Sequence, residues 1–293
     1  MTLIRHYDAQ NAPRGALHQI LPIVGYPALI WRNRYMVQNF LRRDLLSRVH
    51  GSILGIWWIL LQPLFLFAIY FLVFGLMLGP GPDPAFAIYL FSGVIVFVSL
   101  IEATSYCCQI VVDNGNLVKK VAFPSEVLPV SVSATSIVIY LVGAVVCVAA
   151  GMGFGVLQPG WLMLAWPLVM AVQFAMTLGI GLFLANLYVF VRDVGQVWRL
   201  IAMSWQFLSP VFWTPKLLED QVGEHAPWVM TVLQMGNPAY SLIMAHRLAL
   251  GGTDPMLGDF WTQLGLAAAW ATFFLLLGYS TFMASKHKYA DLV

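Results

Sequence analysis

Five long stretches of this chain, residues 53–78, 85–111, 127–150, 161–190 and 260–284, hold one charged side chain between them, Glu102. Each exceeds the roughly 20 helical residues that cross a hydrocarbon core. Lipid offers no partner to a free backbone N–H or C=O, so such stretches must be helical. Charged residues make up only 10% of the 293, too few to coat a soluble domain of this size. A sixth stretch, 195–214, is shorter, with Arg199 near its start and Pro210 near its end. Residues 227–250 are also apolar but are interrupted by Gly236, Asn237 and Pro238.

The basic residues give the orientation, because short cytoplasmic connections carry an excess of Lys and Arg. With six spans, one side holds Arg5, Arg14, Arg32, Arg34, Arg42, Arg43 and Arg48, then Lys119 and Lys120, Arg192 and Arg199, and Lys286 and Lys288. That is 13 of the 15 basic residues. The other side keeps Lys216 and Arg247 beside Asp83, Glu219, Asp220, Glu224, Asp254 and Asp259. Both termini are therefore expected in the cytoplasm. A full span at 227–250 would export Lys286 and Lys288, although Arg247 alone favours it. The segment 215–250 is read instead as an external loop with a re-entrant helical hairpin, which is tolerated when packed in protein. The expected fold is an all-α membrane protein of six transmembrane helices. Its parts are a cytoplasmic segment 1–52, a membrane domain 53–284 and a tail 285–293.

Residues 1–27 have no apolar run of signal-peptide length, so no signal peptide is expected there. Residues 28–41 read as an amphipathic helix. Leu29, Ile30, Met36, Val37, Phe40 and Leu41 share one face, and Arg32, Arg34, Gln38 and Asn39 the other. Such a helix suits the membrane interface, as a plain anchor or as a docking surface. The connection 112–126 is short and basic, yet carries Leu117, Val118, Val121 and Phe123. Apolar residues in a solvated loop call for a partner surface.

The sequence excludes several chemistries. It has no GxxxxGK[ST] phosphate loop, no HExxH and no GxSxG elbow. Cys107, Cys108 and Cys147 fall inside spans without ligand spacing and read as packing residues. No catalytic residue and no metal site is expected. The 13 Leu, Ile, Phe and Val residues of 85–111 contribute roughly −4 to −8 kcal/mol to insertion against about +3 for one acid, so the span inserts despite Glu102. An intramembrane acid is a functional candidate, and a water-facing structural role is its alternative. Phe67, Tyr70, Phe71 and Phe74 stand at i, i+3, i+4 and i+7 on the first span. Such a stripe is either helix packing and lipid contact or the wall of a conduit, since aromatic faces bind sugar C–H faces weakly.

Taken together, Arg43-Asp44-Leu45, Arg48, Gly51-Ser52, Gly55, Trp58 and Pro63-Leu64 resemble the approach to the first span in a known family, the polysaccharide-export permeases among type-2 ABC exporters. These handle O-antigen, capsule and teichoic acid. Asn116-Leu117-Val118-Lys119-Lys120-Val121 with Phe123-Pro124 is similar to their first cytoplasmic loop. Arg192-Asp193-Val194, Ser209-Pro210-Val211-Phe212, Asn237-Pro238 with Arg247, and Lys288-Tyr289-Ala290-Asp291 match in order. The resemblance runs from residue 28 to the end, and the first 27 residues fall outside it.

The resemblance implies a homodimer in the bacterial cytoplasmic membrane, driven by two copies of a separate cytoplasmic ATPase that hold the ATP and Mg. This chain itself is then no enzyme, binds no cofactor and has no nucleic-acid partner. The implied cargo is a lipid-linked glycan of the undecaprenyl type. Asn116, Leu117, Val118, Lys119, Lys120, Phe123 and Pro124 are the implied ATPase-coupling residues. Arg43 and Arg48 would hold the lipid pyrophosphate, with ordinary lipid phosphate or an ion pair to Asp44 as the alternative. Trp57, Trp58, Phe67, Tyr70, Phe71 and Phe74 on the first span, with Trp205, Phe207, Phe212 and Trp213 on the fifth, would line a conduit between subunits. Gly236, Asn237 and Pro238 would let the hairpin bend as an outer gate. A drug or small-lipid exporter would share this fold. A membrane-embedded acyl or glycosyl transferase would need converging His, Asp or Glu side chains, and the external acids are scattered.

Overall fold

The computed structural model describes residues 25–48, 51–120, 123–222 and 226–293. The expectations for residues 1–24, among them Arg5 and Arg14, and for Val121 and Glu224 lie outside the described residues. The described chain is α-helical with short 3₁₀ and π turns and no strand. Five helical segments are long and apolar enough to cross a membrane: Trp58–Met77, Pro84–Asp113, Val127–Gly153, Trp161–Phe190 and Pro255–Leu292.

The N-terminal arm is α1 (Tyr26–Arg32) and α2 (Arg34–Ser47). The single helix expected over 28–41 is broken at Asn33, whose side-chain amide donates to the Leu29 carbonyl at 2.9 Å. A side chain that bonds its own backbone in this way competes with the helical ladder. The two-faced pattern survives the break. Leu29, Ile30, Val37 and Phe40 pack against a buried cluster, while Arg32, Gln38 and Asn39 are exposed.

α3 (Trp58–Tyr70) contains Pro63 and runs on as a π turn, Phe71–Met77. The turn ends where the Leu78 N–H bonds the Val73 carbonyl, five residues back, at 3.0 Å. α4 (Pro84–Asp113) is the central helix. Asp83 starts it by accepting from the Ala85 and Phe86 N–H groups at 3.0 and 3.2 Å, and Pro84 supplies the preset first turn. A short helix, α5 (Gly115–Val118), leads to α6 (Val127–Gly153). A 3₁₀ turn, Trp161–Ala165, opens α7 (Trp166–Phe190).

α8 (Val194–Leu208) is shorter than the stretch 195–214 suggested. Ser209 is extended, with φ −96° and ψ 150°, because the residue before a proline is pushed out of the helical region. Next come α9 (Pro215–Val222), α10 (Pro227–Gly236) and α11 (Pro238–Ala249). All twelve residues of α11 are buried. α12 (Phe260–Ser285) starts from Asp259, which accepts from the Thr262 N–H and hydroxyl at 2.9 and 3.0 Å. The chain ends in α13 (Tyr289–Leu292).

α4 packs between α6 and α7, α12 lies along α7, and α11 is wedged against α12 and α4. Apolar contact between helices gains nothing from leaving lipid, so close backbone approach has to supply the attraction. Gly179 on α7 and Gly278 on α12 allow it. A Cβ on Gly278 would overlap the Gly179 and Phe183 backbone, and one on Gly179 would overlap Phe274 and Leu275. α3 and its π turn are less embedded and expose Phe65, Ile69 and Leu72.

Candidate functional site

One end of the bundle gathers the N-terminal arm, the connection between α4 and α6, and the C-terminal tail. Arg43 on α2 donates to Asn114 Oδ1 at 3.0 Å, and its guanidinium lies 4.7 Å from the Phe40 ring centroid. Phe40 meets Phe123 edge-on at 6.2 Å. Lys286 Nζ pairs with Glu126 Oε2 at 2.5 Å, and the Glu126 side chain is only 3% exposed. Tyr26 donates to the Glu126 carbonyl at 3.4 Å and stacks, tilted, on Tyr279 at 4.8 Å. Val293 covers Gly115 so closely that a Cβ there would strike it. The connection is thus gripped from both termini.

That grip divides the expected coupling residues. Asn116, Lys119 and Lys120 are exposed. Leu117 and Pro124 are half-buried. Val118 and Phe123 pack inward on the cluster that includes Val111, Leu128 and Tyr279.

Arg43 and Arg48 are not brought together. Arg48 turns away from the Arg43 contact and pairs with Glu102 through Nη1, with Asp44 beside its Nε at 3.8 Å. Both ends of the Arg48–Glu102 pair line a cavity of about 380 Å³ between α3, α4 and α6. Trp58, Gln62, Ser99 and Tyr140 complete its wall. Behind it, Gln173 donates to Ser99 Oγ at 2.7 Å. Tyr140 shares a 2.7 Å hydrogen bond with His246 Nδ1 and accepts from Trp166 Nε1 at 3.0 Å. The cavity thus holds one paired arginine and one paired acid and is backed by a polar layer in the bundle core.

The aromatic residues form two groups. Phe67 packs on Phe71 and Phe91 at 5.6 and 5.2 Å, and Tyr70 and Phe74 pack on Phe212 at 4.6 and 4.7 Å. These join α3 to α4 and to the residues after α8 inside one chain. Trp57, Trp58 and Phe207 are exposed. Trp213 donates to the Phe207 carbonyl at 3.0 Å. Trp205 donates to Asn237 Oδ1 at 2.7 Å. Asn237 also accepts from the Ala239 N–H at 3.0 Å and donates to the Leu208 carbonyl and Ser209 hydroxyl at 3.0 and 3.2 Å. The break between α10 and α11 is therefore locked to the end of α8, with Gly236 and Pro238 on either side of the lock.

Sequence reasoning missed Glu126, Lys286, Asn114 and the Tyr140–His246 pair. Their partners stand far off in sequence, and no local pattern marks them. Among the described residues, no group of three or more His, Cys, Asp or Glu side chains could hold a metal ion.

Residues 35–231 match the ABC-2 type transporter family. The chain is 25% identical over 264 residues to the O-antigen export system permease protein RfbA of Myxococcus xanthus, covering 90% of this chain and 97% of that one. It is 23% identical over 256 residues to the protein of the same name from Klebsiella pneumoniae, covering 86% and 92%.

Proposed function

The chain belongs to the ABC-2 type transporter family, and from that premise we propose that it is the membrane subunit of an exporter of lipid-linked polysaccharide. The observation that carries the reading is the near full-length similarity to two relatives named as O-antigen export permeases. As a permease subunit it moves cargo and leaves ATP hydrolysis to a separate chain.

In this reading six helices span the membrane, α8 with its extension to Phe212 being the fifth. The charge distribution supports it, since the gripped basic end then faces the cytoplasm with both termini. α1 and α2 lie along the interface with their apolar face inward. α10 and α11 form a re-entrant pair that dips from the outside and returns, which the complete burial of α11 supports. Two copies of the chain assemble with two ATPase subunits, which bind the ATP and Mg. Asn116, Lys119 and Lys120 meet the ATPase, and the grip of both termini passes its movement to α4, α6 and α12.

The Arg48 cavity receives the pyrophosphate of an undecaprenyl-type carrier, where a guanidinium fork matches phosphate oxygens. The glycan then follows a conduit at the subunit interface. The exposed Trp57, Trp58 and Phe207 are the aromatic faces free for that role. The Asn237 lock closes the outer end.

Deleting the gene and assaying the lipid-linked glycan tests the reading. The expected result is a loss of surface polysaccharide with build-up of carrier-linked glycan inside the cell, reversed by the intact chain. Unchanged surface polysaccharide with an unchanged carrier-linked pool would overturn it.

A further inference from the structure

Arg247 is 4% exposed in the last turn of α11, at the end of the bundle away from the gripped termini. Its Nε donates to the Ser92 hydroxyl at 3.2 Å and its Nη2 to the Tyr89 carbonyl at 2.9 Å. The Tyr89 ring lies under the guanidinium, 3.4 Å from carbon to centroid. Gly93 makes room for the group, since a Cβ there would come within 2.6 Å of Nη2. These partners orient the charge, but all are neutral. Among the described residues, none of the ion pairs involves Arg247.

The guanidinium borders a cavity of about 820 Å³, walled by Phe74, Phe86, Phe212 and Trp213. That volume lies within the roughly 300–1,000 Å³ of small-molecule sites. Two carboxylates reach the wall, Asp83 and Asp254. Both are engaged as helix caps. Asp83 accepts from the Ala85 and Phe86 N–H groups and Asp254 from the Met256 N–H. A charge taken out of water needs a counter-charge. Guanidinium has five N–H donors, of which oxygen acceptors in the chain take two.

We propose that this cavity is a phosphate-binding site, in which Arg247 grips the phosphate of an amphiphile whose apolar part lies on Phe74, Phe86 and Trp213. Planar, bidentate recognition of phosphate explains arginine rather than lysine at this position. The site stands independently of which cargo the transporter carries. Membrane phospholipid and free phosphate share the chemistry, and the aromatic wall favours the lipid.

Titration of the purified full chain in detergent with dioleoylphosphatidylglycerol, read by native mass spectrometry, tests this. The expected result is saturable binding that weakens at least tenfold in Arg247→Gln and recovers in part in Arg247→Lys. Competition by millimolar inorganic phosphate would keep the site and make the free anion its ligand. Equal binding by the wild-type chain and Arg247→Gln would overturn it, as would no saturable binding of either probe by the wild type. If Arg247→Gln fails to fold, Ser92→Ala and Trp213→Ala decide the matter. Each should weaken lipid binding several-fold, and unchanged binding in both overturns the site.

Discussion

Arg48 and Glu102 are paired across 54 positions of sequence, and both side chains border the same cavity. The pair gives Glu102 a partner and engages Nη1 of the guanidinium. Side-chain exposures of 25% and 31% leave it open to the cavity. An ion pair of that kind is worth up to about 1 kcal/mol, so an arriving phosphate can displace it. Under the proposed function, Glu102 competes with cargo for Arg48.

This competition predicts opposite shifts from two substitutions. Glu102→Gln should lower the glycolipid concentration that half-stimulates ATP hydrolysis in the assembled transporter, by up to about fivefold for about 1 kcal/mol. Arg48→Lys keeps the charge but loses the fork. It should raise that concentration about tenfold, since a charge-assisted hydrogen bond contributes about 1.5–3 kcal/mol. Arg43→Lys should leave it near the wild-type value, because Arg43 faces Asn114 rather than the cavity. Shifts of Glu102→Gln and Arg48→Lys in the same direction would rule the competition out.

The Lys286–Glu126 pair predicts a coupling that a double-mutant cycle can read. Removing Lys286 alone leaves a carboxylate that is 3% exposed without its partner. For a fully buried pair that costs about 3–5 kcal/mol, and the 22% exposure of Lys286 lowers the expected figure to about 2. Lys286→Ala should therefore unfold at lower temperature than the wild type, and adding Glu126→Gln should restore part of the loss. Additive losses would show that the tail is held by Val293 and Tyr289 instead.

Asn237 gives a third prediction. Its side chain makes four hydrogen bonds, two of them to the end of α8 and one to Trp205. Asn237→Ala strands the Trp205 indole N–H and the Ala239 N–H, at about 1–3 kcal/mol for each buried group left unpaired. The expected outcome is a lower melting temperature and faster hydrogen exchange at Ala239 and Tyr240. Asn237→Asp keeps the acceptors and loses the donors, so it should lie between. A melting temperature unchanged in both would mean the break needs no lock.

How much of this could be read beforehand depends on the range of the interaction. The five long spans were legible because lipid demands a continuous apolar run, and Asp83-Pro84 marks the start of α4 by purely local chemistry. The aromatic stripe of α3 was legible as a face, since i, i+3, i+4 and i+7 share one side of a helix. Which surface that face meets was not, because Phe212 arrives from 138 positions beyond Phe74. Arg247, counted as a loop charge, alone favoured a full span at 227–250. Its side chain is enclosed within the bundle, where sidedness rules for connections do not apply. Arg48 with Glu102, Lys286 with Glu126 and Trp205 with Asn237 join residues 54, 160 and 32 apart, and no helical period connects them.

The connection between α4 and α6 allows partner binding to be separated from internal packing. Lys119 and Lys120 are exposed, so reversing their charge should leave the fold intact. Charged residues at an interface chiefly set encounter rate and register. Lys119→Glu with Lys120→Glu should slow capture of the ATPase subunit at low salt, with the difference shrinking as ionic strength rises. The stability of the chain alone should stay within about 0.5 kcal/mol of the wild type, the usual range for exposed substitutions. Phe123→Asp behaves differently, because Phe123 already rests on Phe40 and the cluster around Tyr279. It should lower both the melting temperature and ATPase binding. Phe123→Leu keeps the apolar packing and should restore the first. Pull-down of the ATPase subunit by detergent-solubilised chain, with thermal melts of the same samples, reads both quantities. If the lysine reversal leaves capture unchanged at every salt concentration, the ATPase docks elsewhere, and the grip on this connection serves the fold alone.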